Sequence, residues 1–331
     1  MRILSSRVGQ RIFQGVLCFI MIGCGLLVAS GRTLAGNLSF KGEIISEFIY
    51  HQLNGGIPTL QKPYLETESN TSLKLDLLGF AGSYQYELQA TGYFHEFLFG
   101  MNRATISGFS GPVLWEFGKK DWTFGKGLAF IPNYPLTQGA DCWGFENSII
   151  LSPYSLVTGV ARERSKVGAG WLRAGKMRET SDWGVVLSYI WDDGCNYWQG
   201  GAEFSWDFLN GLSVHGGASI ELPEQTGKYL LGGVYSGGRL NYILEYYYAE
   251  NHYLFAGLSR EPGLFGRWQW GVKEIYSLND AGLISIINLK YLGNNTVTPE
   301  LIITNFGGGN SNERQNNPVK WEYIMRLTAN F

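Results

Sequence analysis

The last thirteen residues of the chain alternate between apolar and polar side chains, and this restricts its fold more than any other feature. The apolar positions, two residues apart, are Val319, Trp321, Tyr323, Met325, Leu327, Ala329 and Phe331. The residues between them are polar except for Ile324, namely Lys320, Glu322, Ile324, Arg326, Thr328 and Asn330. A period of two places the two sets on opposite faces of a β-strand. The chain end is therefore predicted to be a strand with one apolar face.

The same alternation recurs along the chain. One run has an indole at each end and aliphatic or phenolic side chains between, namely Trp183, Val185, Leu187, Tyr189 and Trp191. At about 3.3 Å per residue the two indoles lie roughly 26 Å apart, close to the height of the apolar band of a membrane barrel. A β-sandwich would alternate too, with its apolar face as the core. Aromatic residues at strand ends on the apolar face favour the barrel, because they match an interfacial girdle.

The terminal pattern resembles the C-terminal signature of bacterial outer-membrane β-barrels. That resemblance implies that Tyr323 and Phe331 are read by the outer-membrane assembly machinery. No stretch after residue 36 contains about 18 consecutive apolar residues, which excludes helical spans. We see no linker and no compositional shift, so residues 36–331 are predicted to form one all-β domain, a transmembrane antiparallel β-barrel.

The first 35 residues have the layout of a secretory signal peptide. Three arginines precede an apolar run over residues 16–29, and Thr33-Leu34-Ala35 ends in small residues, so we expect cleavage after Ala35. An uncleaved anchor and a lipoprotein attached at Cys24 are the weaker alternatives. Removing residues 1–35 removes four arginines and no acid, which leaves 22 basic and 28 acidic side chains, a net charge near −6. Such a charge argues against a nucleic-acid partner.

An internal segment, residues 103–119, resembles the hairpin signature of Gram-negative general porins. Its sequence is RATISGFSGPVLWEFGK, with Lys119 where the family usually has arginine. The resemblance implies a descending strand, a periplasmic turn and a strand that rises into a long third extracellular loop, which folds into the barrel and narrows it. Residues 125–152 show little alternation and are predicted to be that loop. A generic hairpin with a Gly-Pro turn is the alternative.

The candidate pore constriction follows from this placement. Asp141 and Glu146 are the acids predicted on the loop. The basic wall predicted to face them consists of Arg162, Arg164, Arg173 and Lys176. The rising strand adds two further candidates for the constriction, Glu116 and Lys119. Opposed charges across a narrow pore would orient dipolar solutes and set ion preference. Alternatively, the basic residues are solvated charges at the membrane interface.

Turn signals divide the chain into about 16 strands, within a range of 14–16. The segment His252–Arg260 is left as a turn region in this count, although it could be a further strand. After signal cleavage two cysteines remain: Cys142, placed in an outer loop, and Cys195, placed in a turn. They could form one disulfide. No Cys-x-x-Cys or His-x-x-x-His spacing suggests a metal, and we expect no cofactor.

We do not expect an enzyme. The segment from His51 to Gly55 is similar to the His-x-Ser-Asn-Gly block of outer-membrane phospholipase A, but Leu53 stands where the nucleophilic serine should be. Without a hydroxyl at that position the histidine has nothing to activate. No catalytic residue is therefore assigned, and His51 is interpreted as a residue at the barrel rim.

These observations together predict a porin-like channel of the bacterial outer membrane for passive diffusion of small hydrophilic solutes or ions. Its expected partners are outer-membrane lipid, the assembly machinery, those solutes and a possible homotrimer. Two alternatives remain. One is a barrel without a transport role, such as an adhesin, an assembly factor or a structural anchor. The other is a polysaccharide-export barrel similar to alginate-export channels.

Overall fold

The computed structural model describes residues 38–53, 65–93, 98–122, 128, 142–163, 167–191, 196–208, 210–262, 266–293, 296–308 and 319–330. These residues form one antiparallel sheet of eighteen strands. The strands are β1 (Leu38–Leu53), β2 (Leu65–Ala81), β3 (Tyr84–Tyr93), β4 (Leu98–Ser110), β5 (Val113–Lys119), β6 (Cys142–Leu151), β7 (Tyr154–Glu163), β8 (Gly168–Arg178), β9 (Ser181–Trp191), β10 (Asn196–Asp207), β11 (Leu212–Leu222), β12 (Thr226–Gly237), β13 (Leu240–Ala249), β14 (Asn251–Arg260), β15 (Trp268–Ser277), β16 (Gly282–Tyr291), β17 (Val297–Gly308) and β18 (Val319–Asn330).

The sheet closes into a barrel. Each strand pairs with its neighbours in the chain, and β1 also pairs with β18, with Glu47 opposite Arg326 and Tyr50 opposite Tyr323. Closure removes both sheet edges, which is the condition for a sheet to cross a membrane. The predicted all-β antiparallel barrel is confirmed, with 18 strands in place of about 16.

The two additional strands lie where the sequence hides its alternation. β6 occupies most of the second half of the segment 125–152 that was predicted to be one loop, and a turn at Ser152 and Pro153 leads from it to β7. β14 covers the region around His252, and only Glu250, with a φ of 64°, separates it from β13. The connection between β5 and β6 is therefore 120–141, shorter than predicted.

The outer face of the barrel is apolar, whereas the inner face mixes apolar side chains with polar ones and with ion pairs. On β9 the side chain of Leu187 is 47% exposed and that of Ser188 is 1% exposed. Exposed apolar side chains recur at alternate positions on the other strands, including Phe48, Leu244 and Ile287. In water such a surface would be strongly unfavourable, whereas lipid suits it. Among the described residues, no helix is long and apolar enough to cross a membrane.

The two rims of the barrel differ. One rim, which we call the turn rim, carries both ends of the described chain and tight turns such as Gly82-Ser83 and Gly111-Pro112. The opposite rim, the loop rim, carries the connections 54–64, 120–141 and 309–318. Cross-strand aromatic pairs mark the outer face at both rims. The pairs Tyr84–Trp115, Trp183–Phe204 and Trp268–Tyr291 lie at the turn rim, and Tyr50–Tyr323, Phe117–Trp143 and Tyr189–Trp198 lie at the loop rim.

Candidate pore lining

The inner wall from β15 through β18 to β4 carries ionised side chains that are partly exposed. Lys74 lies 4.0 Å from Glu43 and 3.6 Å from Asp76, all three about one-third exposed. Arg326 binds Glu47 at 2.7 Å and Glu300 at 3.0 Å. In each group one cation stands between two carboxylates. Groups of this kind keep their hydration only if the lumen beside them holds water.

A third group follows the same rule on β3–β5. Arg103 lies 3.1 Å from Glu87 and 3.6 Å from Glu116. Lys120, just beyond β5, also binds Glu116 and lies 3.9 Å from Glu146 on β6. Acids and bases therefore alternate around this part of the wall, and neither sign forms a continuous ladder.

The inner wall from β7 to β14 is covered, unlike the part just described. Thirteen of its inward side chains are almost inaccessible to solvent, namely Ala161, Ala169, Trp171, Val186, Ser188, Ile190, Gln199, Glu203, His215, Ser219, Leu230, Glu245 and Phe255. Nearer the loop rim, the inward ion pair of Lys228 with Glu221 is partly exposed. Away from that pair, the inward side chains that solvent reaches lie mainly along β15–β18 and β1–β4. The ion pair of Arg173 with Glu203, at 2.6 Å, belongs to this covered wall, and the Glu203 side chain is buried.

Part of the cover comes from the chain after β5. Trp122 is 3% exposed and packs against the ring of Trp171, with 5.5 Å between the ring centroids. Lys120 Nζ lies 4.2 Å from the centroid of the Trp122 ring, and Trp171 donates its indole N–H to Glu146 at 3.2 Å. An aromatic cluster with Cys142, Ala161, Ala169 and Ile190 thus fixes the start of the 120–141 connection inside the barrel.

Further along the same connection, Leu128 reaches the wall at β13. Its backbone N–H donates to Glu245 Oε1 at 2.7 Å. The two described points, Trp122 and Leu128, therefore lie against β6–β9 and against β13. At these two points the connection lies on the inner side of the wall. The rest of the segment predicted to enter the barrel, residues 123–127 and 129–141, lies outside the described residues.

Glycines on the intervening strands let inward side chains two strands apart meet. Glu146, Gly159 and Trp171 stand side by side on β6, β7 and β8, and the Trp171 ring occupies the space where a Cβ on Gly159 would lie, 2.3 Å away. His215 and Glu245 meet over Gly232 in the same way. Alternate strands of an ordinary sheet are about 9.6 Å apart, too far for these contacts to form over a larger residue.

The structure places the predicted constriction residues on both faces of the wall. Glu116, Glu146 and Arg173 point inward, as their pairings with Ser107, Gly159 and Val186 require. The prediction that Lys119 and Arg162 face the lumen is corrected. Both stand opposite the exposed Trp143 and so lie on the outer face at the loop rim. Asp141 and Arg164 lie outside the described residues.

Lys176 is a third correction. It stands opposite Tyr154 and Trp183 on the outer face at the turn rim, with Nζ 5.4 Å from the Tyr154 ring centroid. The ammonium group of Lys119 donates to the backbone carbonyl of Met101. Lys119 and Lys176 are therefore charges at the membrane interface, which is the alternative given above for the basic residues.

Other predicted positions are placed as follows. Tyr323 lies on the outer face beside Tyr50, whereas Phe331 is outside the described residues. Cys142 is buried in β6 and not in an outer loop, and Cys195 is not among the described residues, so the disulfide stays untested. His51 lies near the loop rim with Nε2 2.9 Å from Glu322. In the described part of the chain, no three His, Cys, Asp or Glu residues are grouped so as to hold a metal ion.

Lys74, Arg326 and Glu245 are not among the site residues predicted from the sequence. The sequence does indicate that they face the lumen, since each occupies a polar position in an alternating strand. Their contacts, however, join positions far apart in the chain: β1 pairs with β18, and Leu128 contacts Glu245. Alternation within one strand carries no information on such contacts.

Comparison with known proteins shows the fold. Acinetobacter baumannii OccAB1 is similar over 91% of this chain and 99% of its own, with a TM-score of 0.58 and 7% sequence identity. A mutant of Rh. blastica porin is similar over 89% of this chain and 100% of its own, with a TM-score of 0.47 and 12% identity. No protein-family model and no curated protein matches the sequence. The chain therefore has the same barrel fold as OccAB1.

Proposed function

We propose that this protein is a bacterial outer-membrane channel through which small hydrophilic solutes and ions diffuse passively. One observation carries the proposal: the inner wall along β15–β18 and β1–β4 carries ion groups that are partly exposed inside a closed barrel of eighteen strands. A barrel of this size encloses more space than side chains alone fill, so the exposed charges line water.

The arrangement of charges also bears on selectivity. Lys74 and Arg326 each stand between two carboxylates, so a passing ion meets both signs within a few ångströms. A mixed wall of this kind offers hydrogen-bond donors and acceptors to uncharged solutes, and its excess of carboxylates over cations gives a weak preference for cations. The covered wall from β7 to β14 narrows the path, which limits solute size.

Location in the outer membrane is part of the same proposal. It is supported by the apolar outer face with aromatic pairs at both rims, and by the signal-peptide layout of residues 1–35. A passive channel needs no catalytic group, which accords with the expectation that the protein is not an enzyme.

The test is single-channel recording of the purified full-length protein in planar bilayers, together with swelling of liposomes in solutes of increasing size. We expect stepwise conductance, weak ion selectivity and swelling in monosaccharides. A correctly folded barrel that conducts no ions and passes no monosaccharide would show that the lumen is closed and would refute the proposal.

A further inference from the structure

We propose that the outer face of β15–β17 near the loop rim is a contact surface for a second copy of this chain. Three polar side chains on this lipid-facing wall, Glu274, Ser285 and Asn305, form the surface, which we call the outer polar row. The inference goes beyond the proposed function, because a barrel that conducts nothing would leave it intact.

Glu274 is an exception among the acids of the barrel. The next residue on β15, Ile275, stands opposite the buried, inward Phe255, so Glu274 faces outward, and its side chain is exposed. The other acids whose side chains the structure describes within strands lie at inward positions. No hydrogen bond or ion pair joins the Glu274 carboxylate to the rest of the described chain.

Glu274 also lies at a depth where the wall faces hydrocarbon. The pair Trp268–Tyr291 marks the turn rim at the start of β15, and Glu274 is six residues further, about 20 Å along the strand. Because strands of such barrels tilt by about 35–45°, the carboxylate is roughly 15 Å above that rim, inside an apolar band about 25 Å tall. Tyr276, exposed on the outer face, lies between Glu274 and the loop rim. An ionisable group at this depth is costly in lipid, which indicates a protein partner.

The outer polar row is self-complementary. Glu274 stands opposite Ser285, and Ser285 opposite Asn305, so an acceptor lies on β15 and donors lie on β16 and β17. A two-fold axis along the membrane normal at β16 brings β15 of each copy to β17 of the other. Each carboxylate then accepts from an Asn305 amide of the other copy, twice in the interface. The amide has two N–H groups, and within its own chain it donates to the Lys320 carbonyl at 3.4 Å.

The surroundings of the row also favour a second copy. The adjacent outer positions on the same strands, toward the middle of the bilayer, are aliphatic, namely Val272, Ile287 and Ile303. Such a surface lets two barrels pack closely below the polar contacts. A partner that offers only a cation would neutralise the carboxylate but leave the donors of Ser285 and Asn305 without acceptors. A second copy satisfies all three side chains.

Cross-linking of single-cysteine substitutions in the full-length protein tests the contact. Ser285→Cys places a thiol beside the two-fold axis, so a short bismaleimide in lipid vesicles should link two copies into a covalent dimer. Thr158→Cys is the matched control, because Thr158 is exposed on the outer face of β7, nine strands away around the barrel. We expect it to link no more than the unmodified protein, which controls for the native cysteines.

Sedimentation equilibrium in a neutral detergent measures the strength of the contact. Glu274→Ala removes the acceptor from both halves of the interface, so the dimer dissociation constant should rise about a hundredfold. Asn305→Ala should have a similar effect, and the double variant should add little to either, because the two residues bind each other. Glu274→Gln keeps an acceptor oxygen and should restore part of the affinity. Thr158→Ala should not change it.

A second readout separates association from a role in the barrel itself. Glu274→Ala takes a carboxylate off the lipid face, so the monomeric barrel should unfold at a higher urea concentration even though the dimer weakens. Three results would each overturn the inference. One is an unmodified protein that stays monomeric while Ser285→Cys links no better than Thr158→Cys. The second is linkage of Ser285→Cys to a different membrane protein instead of a second copy. The third is a folded Glu274→Ala variant that dimerises as strongly as the unmodified chain.

Discussion

Arg326 on β18 binds Glu47 on β1 at 2.7 Å, across the seam where the two ends of the barrel meet. The same guanidinium reaches Glu300 on β17 at 3.0 Å, so one side chain joins β1 to the last two strands of the chain. The seam is the last pairing to form in a barrel built from consecutive hairpins, because it brings together residues 279 positions apart. A charged contact here supports closure as well as lining the lumen.

We therefore expect Arg326→Ala to weaken the barrel. The substitution leaves Glu47 and Glu300 without their shared cation, and we expect a loss of about 1–2 kcal/mol, because partial exposure of the guanidinium screens the full effect. Urea unfolding in detergent or lipid measures it. Lys273→Ala is the control, since it removes an exposed inward cation for which the described residues provide no ion pair. Equal stability of the two variants would contradict the role of Arg326 at the seam.

The sequence indicated most strands because one face of each strand contacts lipid and the other faces the lumen, so apolar and polar residues alternate. It missed β6 because Gly144 and the preceding glycine- and proline-containing stretch weaken the pattern, although Trp143 and Phe145 do point outward. It gave β14 only as an alternative to a turn region, because a single turn residue, Glu250, gives almost no turn signal. Very short turns leave little trace in composition, so strand counts from sequence tend to be low.

The candidate constriction shows what the period of two does and does not determine. Glu116 and Lys119 are three residues apart, as are Arg173 and Lys176, and residues an odd number apart in a regular strand lie on opposite faces. Within each pair only one residue could face the lumen. Which inward residues are covered depends instead on contacts such as Leu128 to Glu245, which join distant parts of the chain.

The role of Phe331 stays a prediction from its resemblance to the terminal signature. If the assembly machinery reads this residue, a chain that ends at Asn330 should be exported but poorly inserted. The measurement is the fraction of protein in the outer membrane that migrates as a compact barrel on unheated gels. Replacing Thr328 by alanine, a polar residue of the same strand, serves as control. Normal insertion of the truncated chain would contradict the prediction.

Two neighbouring isoleucines on β16 test the assignment of inside and outside. Ile287 is exposed on the outer face near mid-strand, and Ile286 points inward beside Lys273. Arginine at the bilayer midplane costs about 2–4 kcal/mol on the lipid face, whereas lumen substitutions mainly tune selectivity. Ile287→Arg should therefore reduce the free energy of unfolding, while Ile286→Arg should fold and shift selectivity toward anions. The opposite result would mean that the register of β16 is displaced by one residue.

Ser188 also faces inward, but an arginine at this position would not test the inside–outside assignment. It points inward beside Leu187, but its side chain is buried between Trp171 and Gln199 on the adjacent strands. We expect Ser188→Arg to destabilise the barrel by overpacking, by about 1–3 kcal/mol or more, despite its inward position. Unfolding of Ser188→Arg compared with Ile286→Arg measures the difference. Equal stability would mean that the wall from β7 to β14 is as accessible as the wall beside β16.

The position of two lysines separates pore charges from interface charges. Lys74 lies inside the lumen between Glu43 and Asp76, and Lys176 lies on the outer face over Tyr154. Lys74→Ala leaves two partly exposed carboxylates without their shared cation, which should move the reversal potential in a salt gradient toward cation preference. Lys176→Ala removes the same charge outside the lumen, so the reversal potential should not change. Raising the ionic strength should reduce the Lys74 effect, because screening weakens the field of exposed charges. A shift with Lys176→Ala as large as with Lys74→Ala would show that the path of the ions does not follow the inner wall along β1–β4.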